Sequence, residues 1–255
     1  MITAIVRPLI AFLVVAALLC GLEALWPERR QPRLRAGGIN DLVYLVVDVG
    51  VRRIAGGVVV LVAIALLLAK VSRPSIASAQ PLGLQAIEVI VGGDIIGYWL
   101  HRAFHTFRWL WPFHAVHHSS KVLDWVAAAR QHPVDNAVHK VLVVLPFFLL
   151  GFSPGVVAGY APFLTLYPIM LHANVSWGFG PLRWIIASPA FHRWHHAAEA
   201  AALDRNFAGL LPCLDLLFGT AYFPARPPRE FGLYDADEPR GILRQLAYPF
   251  RQLAA

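Results

Sequence analysis

The sequence predicts an all-α integral membrane protein, with about four membrane-embedded helices and a cytoplasmic helical cap that holds a histidine-rich dimetal site. Three observations lead there. Hydrophobic residues make up 58% of the 255 residues against 15% charged, where an ordinary soluble domain carries roughly 45–50% and about 25%. Apolar runs long enough to enter a bilayer alternate with arginine-bearing loops. All eleven histidines fall between His101 and His196, and eight of them form three clusters, in HRAFH, HAVHH and HRWHH.

The elements follow in chain order. Ile2 to Trp26 is apolar apart from Arg7 and Glu23 and is long enough for a membrane helix. A signal peptide is the competing reading, but the start is almost uncharged and no small-residue cleavage site follows. Arg29, Arg30, Arg33 and Arg35 then mark a cytoplasmic loop by the positive-inside rule. A second apolar stretch, Leu42 to Ala69, is interrupted by Arg52 and Arg53, which predicts a short interfacial helix and then a span over 54–70 ending near Lys70 and Arg73. The proline-containing segment 72–83 reads as a loop. A third span over 84–100 delivers His101 to the cytoplasmic side. Val141 to Leu171, broken by SPG at 153–155, is too long for one helix and short for two full spans, so it predicts a tight hairpin that enters and leaves the bilayer. Every histidine cluster then lies on one membrane face. The tail from Phe231 to Ala255 sets Arg240, Arg244 and Arg251 among Leu243, Leu246, Phe250 and Leu253, an amphipathic segment for the leaflet surface or for packing on the cap. No fixed-period repeat divides the chain, so one domain covers 1–255.

Composition excludes several function classes. The formal charge of +7 could invite nucleic acid, but the arginines flank apolar runs and form no stripe with interleaved aromatics. Anionic lipid is the better counterpart. With only Cys20 and Cys213 there is no disulfide framework and no four-cysteine cluster site, so electrons must come from outside.

The histidines carry the chemistry. Residues three and four apart share a helix face, so His101 with His105, His114 with His117 and His118, and His192 with His195 and His196 can each aim imidazoles at one point. Eight aimed nitrogens exceed what one ion needs, which predicts two. His132, in RQHPVD, would bind from a loop because the following proline disfavours helix there. His172 would bind where the hairpin leaves the membrane. His139 is left outside the site. Asp94, Tyr98, His101 and His105 form one helical stripe. Asp94 therefore could orient a ligand histidine, line a substrate channel, or make a polar contact between helices helped by the Gly93 to Gly97 spacing. Trp99, Phe104, Trp109, Trp111 and Phe113 serve either as an amphipathic doorway for lipid or as helix anchors. Imidazole suits zinc, copper, iron and nickel alike, so the ligand set leaves the metal open. A zinc-dependent membrane hydrolase would use few histidines and no reductant. A metal transporter would place its ligands near the midplane.

Read in order, HRAFH, FHAVHHSS, RQHP, the hairpin ending in HAN, SPAFHRWHH and the later NFAGLLPCLDLLFGT resemble the fatty acid hydroxylase superfamily, also called the sterol desaturase family. The resemblance covers about residues 90–225. It implies a multi-pass, non-haem di-iron oxygenase that uses O2 and two externally supplied electrons to hydroxylate or desaturate a C–H position of a lipid such as a sterol, fatty acid or ether lipid. Carried over by position, it implies iron ligands at His101, His105, His114, His117, His118, His132, His172, His192, His195 and His196. Asn206 and Asp215 match family positions and are expected to support the site from behind the ligands, as are Asp94 and Tyr98. The electron donor implied is a separate ferredoxin, cytochrome b5 or reductase. The location implied is a bacterial inner membrane with the metal site facing the cytoplasm. HHSS followed by Trp125 is closer to bacterial members and to the alkylglycerol-cleaving branch than to plant or fungal sterol enzymes.

Overall fold

The structure is a computed structural model that describes residues 2–32, 34–68, 77–234 and 239–254. The expected exit of the second span at Lys70 and Arg73, and the first part of the loop that follows it, lie outside those residues. The described chain is helical, with no strand among the described residues and only isolated bridges at Pro27–Val175 and Ala197–Phe231.

Four long elements form the scaffold: α1 (Ile2–Leu25), α2 (Gly38–Leu68), α3 (Leu82–Thr106) and the hairpin of α5 (Pro133–Leu149) with α6 (Pro154–His172). Short helices α4 (Trp111–His118), α7 (Pro189–His195) and α8 (Cys213–Leu217) build the cap, and α9 (Ile242–Ala254) closes the chain. Among the described residues, α6 is the helix long and apolar enough to cross a bilayer by length and composition, and Ile10–Leu25 is a shorter apolar stretch.

Local chemistry sets the boundaries. Proline stands at the first helical positions of α4, α5, α6 and α7, where its missing N–H leaves nothing unsatisfied. Ser188 caps α7 by accepting from Phe191 N. The hairpin turns through Gly151 at φ 80°, and the Ser153 amide at the turn donates to Gln85 Oε1 of α3 at 2.8 Å.

Packing brings α3, α5 and α6 around Val89, Val143, Phe147, Val157 and Tyr160. Gly93 permits the α3–α6 approach, since a Cβ there would stand 2.4 Å from the Tyr160 hydroxyl. Of the expected Gly93–Gly97 pair only Gly93 is at close approach; a Cβ at Gly97 would meet nothing within 4 Å.

Beneath the cap lies a buried ionic clasp. Asp41 of α2 is fully buried and accepts from Arg35 and from Arg130, each at 2.6 Å. Arg35 also grips Asp124 through two 2.6 Å contacts. Glu23 of α1 accepts from the amides of Trp125 and Asn174, both at 2.8 Å. Removing one member would strand a buried charge at about 3–5 kcal/mol, so these contacts fix α1 and α2 to the histidine-bearing cap.

The predicted break in the second apolar stretch is not found. α2 runs as one helix through Arg52 and Arg53, because Arg52 pairs with Asp48 one turn earlier and donates to the Thr165 hydroxyl of α6. A charge satisfied within one turn and across a neighbour leaves the helix no reason to stop. The amphipathic tail segment is α9. It packs on α4, where Phe250 meets Phe113, buries Gln245 and Pro249, and leaves Leu243 and Leu253 exposed.

Candidate metal centre

Nine of the ten histidines singled out converge. His101, His105, His114, His118 and His195 form one group and His117, His172, His192 and His196 another, each with one ring nitrogen per residue within 4.8 Å of the others. The groups adjoin, since the His118 and His196 rings stack at 4.4 Å.

The rings are held from behind. His101 Nδ1 donates to the Phe207 carbonyl at 2.8 Å, His117 Nδ1 to the Arg130 carbonyl at 2.9 Å, His172 Nδ1 to the Pro168 carbonyl at 2.7 Å and His195 Nδ1 to the Arg205 carbonyl at 2.8 Å. His114 Nδ1 lies 2.8 Å from the Asp135 carboxylate, and His105 Nδ1 lies 3.2 Å from that of Asp204. A carbonyl, or the ionised Asp135 carboxylate, can only accept, so the proton of each ring so bonded sits on Nδ1 and its Nε2 is a bare lone pair. Those lone pairs face one another: His101 and His114 Nε2 are 3.0 Å apart, and His117 and His172 Nε2 are 3.1 Å apart. In these tautomers neither member can donate, so each pair is repulsive unless a cation lies against it.

A proton is a poor candidate for that cation. Burial, and then the neighbouring imidazoles, hold His117, His118, His192, His195 and His196 well below the ordinary histidine pKa. Neutral rings are the form that binds metal. The Nε2 atoms of His105, His118 and His195 are also buried without a hydrogen-bond partner among the described residues. Separations near 3 Å match adjacent ligands around an ion at bond lengths of about 2.1 Å. The donor set therefore fits two ions, and carbonyl or carboxylate groups behind the rings are the usual device for fixing ligand tautomers.

His132 stands apart. Its Nδ1 accepts from the Val134 amide at 3.2 Å, capping α5, and its Nε2 lies 3.2 Å from the Leu246 carbonyl of α9. With both nitrogens engaged and the ring packed on Phe113 and Phe250, it supports α5 and α9 and is not among the converging rings. His139 also lies outside both groups, bonded to Asp135 Oδ1 at 2.8 Å.

The remaining candidates act through one loop. Asp94 accepts from the amides of Leu210 and Leu211, both at 2.8 Å. Asp215 accepts from Phe207 N, Ala208 N and the Thr220 hydroxyl, and Tyr98 meets that same hydroxyl at 2.9 Å. Asn206, at φ 59°, bonds both backbone groups of Tyr222, a conformation that asparagine tolerates better than most residues. None of the four touches a histidine ring. Together they fix the segment whose carbonyls at Arg205 and Phe207 orient His195 and His101.

Asp135 was not singled out from sequence. It is buried and contacts His114 and His139; burial alone would raise its pKa, but those two rings hold it well below the carboxylate range. The available signal was its place three residues after His132 and four before His139. The aromatics divide as well. Trp111 packs on His105 and His118 and buried Phe104 on His114 and His139, whereas Trp99 and Trp109 are exposed.

An all-helical scaffold that gathers nine imidazoles into two adjoining buried groups defines a histidine-rich metal site with places for two ions. The chain belongs to the fatty acid hydroxylase family, whose model matches residues 86–220. It is 28% identical over 249 residues to the ornithine lipid hydroxylase OlsE of Rhizobium tropici, covering 94% of this chain and 75% of that one. It is 36% identical over 130 residues to the alkylglycerol monooxygenase of Danio rerio, covering 51% of this chain and 29% of that one. A very-long-chain aldehyde decarbonylase of Oryza sativa subsp. indica, GL1-6, is 27% identical over 153 residues, covering 54% of this chain and 23% of that one. The chain thus spans three quarters of the first relative and under a third of the other two. No solved structure matches. Lipid oxidation at a histidine-rich metal site is the activity these relatives support.

Proposed function

We propose that this chain is a multi-pass membrane di-iron oxygenase that hydroxylates a C–H position of a bilayer lipid, with its histidine face toward the cytoplasm and two electrons supplied by a separate carrier protein. The observation that carries the reading is the set of Nε2 lone pairs turned toward one another in two buried groups. Two irons held there would supply reductive activation of O2, and neutral ligands would leave the ions their full positive charge.

The chain itself positions and shields. A cavity of about 230 Å³ lies between α2, α3, α5 and α6 and reaches His101 and His114 of one group and His117, His172 and His192 of the other. Val143, Tyr160, Phe163 and Leu164 line its apolar part, which suits a hydrocarbon segment and excludes water from the reacting carbon. Exposed Ile10, Leu13, Val14 and Leu18 on α1, Val46, Ile54 and Leu61 on α2, and Ile87 and Ile95 on α3 form outward apolar surface far beyond what a soluble monomer shows. That surface supports embedding of α1 to α3 beside the α5–α6 hairpin. Hydroxylation is favoured over desaturation because the relatives are named hydroxylases and monooxygenases, and a polar-headed aminolipid is the first substrate to try, given the 94% coverage by the ornithine lipid hydroxylase.

Metal analysis of protein purified without chelator or added zinc, then dithionite-dependent O2 consumption, tests the chemistry. Two irons per chain with O2 uptake is the expected result. Bound zinc with lipid cleavage that persists without O2 would replace the oxygenase with a hydrolase. Comparing the lipids of membranes with and without the active protein then identifies the substrate by a mass gain of one oxygen.

A further inference from the structure

Helix α7 divides two spaces. On one side His192 meets the central cavity, and His192, His195 and His196 turn into the candidate ion groups. On the other, Ala190, Arg193 and Trp194 line a second pocket of about 310 Å³. A helix with its side chains is about 10–12 Å across. A molecule seated in this pocket therefore stands one helix width from the histidines, on the side away from the lipid-facing cavity.

The pocket is strongly cationic. Arg183, Arg193 and Arg226 line it against Glu28 alone. Among the lining residues three arginines thus stand against one carboxylate, with Arg226 also paired to Glu199. Arg193 is 2% exposed; one Nη donates to the Ala173 carbonyl at 2.7 Å, and the other has no hydrogen-bond partner among the described residues. The walls are aromatic and stiff. The Arg226 guanidinium lies 5.0 Å from the Trp194 ring centre and that of Arg183 lies 5.7 Å from Phe223, while Pro224, Pro227 and Pro228 fix the backbone. Such a rim loses little entropy on binding and steers negatively charged partners toward it. Trp194, between Arg193 and His195 in sequence, joins the pocket wall to a candidate ligand through one peptide bond.

We propose that this pocket docks an acidic one-electron carrier protein, with Trp194 as the ring nearest the incoming electron. The inference rests on the oxygenase reading above. Each docked carrier would give up one electron to the site. Two encounters supply the two electrons that, with two protons from solvent, are consumed as one atom of O2 enters the lipid C–H bond and the other leaves as water.

The test uses the full-length, iron-loaded protein with reduced [2Fe–2S] ferredoxin as an acidic probe and cytochrome c as a basic counter-probe. Binding is read against ionic strength, and O2 consumption is read with ferredoxin and with dithionite. Arg183→Glu and Arg226→Gln are each expected to weaken ferredoxin binding about tenfold. The ferredoxin-driven rate should fall with it, the dithionite-driven rate should hold, and Arg183→Lys should recover most of the binding. Ferredoxin binding that ignores Arg183 and salt would overturn the proposal, as would cytochrome c binding equally well. So would dithionite-driven rates that fall by the same factor as ferredoxin-driven ones. Weakened binding to phosphatidylglycerol vesicles with ferredoxin binding unchanged would make the patch a membrane contact instead. Should dithionite drive no O2 uptake while ferredoxin binding still depends on Arg183, the oxygenase reading fails and the acidic-protein site stands.

Discussion

The two histidine groups use different anchors. In the group of His101, His105, His114, His118 and His195, two rings lean on carboxylates, Asp135 and Asp204, and two on carbonyls of the 205–207 segment. In the group of His117, His172, His192 and His196, His117 and His172 are anchored by carbonyls, and the Nδ1 atoms of His192 and His196 have no hydrogen-bond partner among the described residues. The rings of both groups are buried, the His105 and His114 side chains each being 5% exposed. Carboxylates thus stand behind two rings of the first group, whereas the anchored rings of the second rest on backbone carbonyls alone.

Removing a ring tests whether the two places fill separately. His114→Ala should empty the first and His172→Ala the second, each reducing the metal count per chain and abolishing turnover while membrane insertion persists; full metal content in either variant would exclude that ring as a ligand. Asp135→Asn probes the difference in anchoring and should lower metal affinity about 10–100-fold at the first place only, as read by chelator competition. Gly93→Ala tests the packing that both groups share. Its methyl would collide with Tyr160, costing about 1–3 kcal/mol, visible as a lower Tm in detergent. His132→Ala should cost about 1 kcal/mol through loss of the α5 cap with metal content unchanged; metal loss there would return it to the ligand set. His139→Ala should be smaller still, since its contact with Asp135 lies outside both groups.

Helical spacing made the three boxes legible, because i, i+3 and i+4 neighbours must share a face whatever the tertiary fold. His172 is legible from its place where the apolar hairpin ends, and the family pattern matches it. His132 misled because its second partner, the Leu246 carbonyl, lies 114 residues away, and nothing near RQHP reveals it. Periodicity puts Asp94 and Tyr98 on one stripe with His101 and His105, but their partners are backbone groups and a hydroxyl of the 207–220 segment, which no periodicity encodes. The Arg52–Arg53 pair was read as a helix break because the Thr165 hydroxyl that helps hold Arg52 belongs to a distant helix.

The segment from Asp204 to Leu211 has a consequence of its own. It presents three anchors within four residues, at Asp204, Arg205 and Phe207, to His105, His195 and His101, and is pinned by Asp215 at Phe207 and Ala208 and by Asp94 at Leu210 and Leu211. Its phase along the chain matters more than its composition. One extra glycine between Arg205 and Asn206 would leave every imidazole in the sequence, yet shift the carbonyls out of step with the rings, so a frame error of a single residue could demetallate a protein whose histidines are all intact.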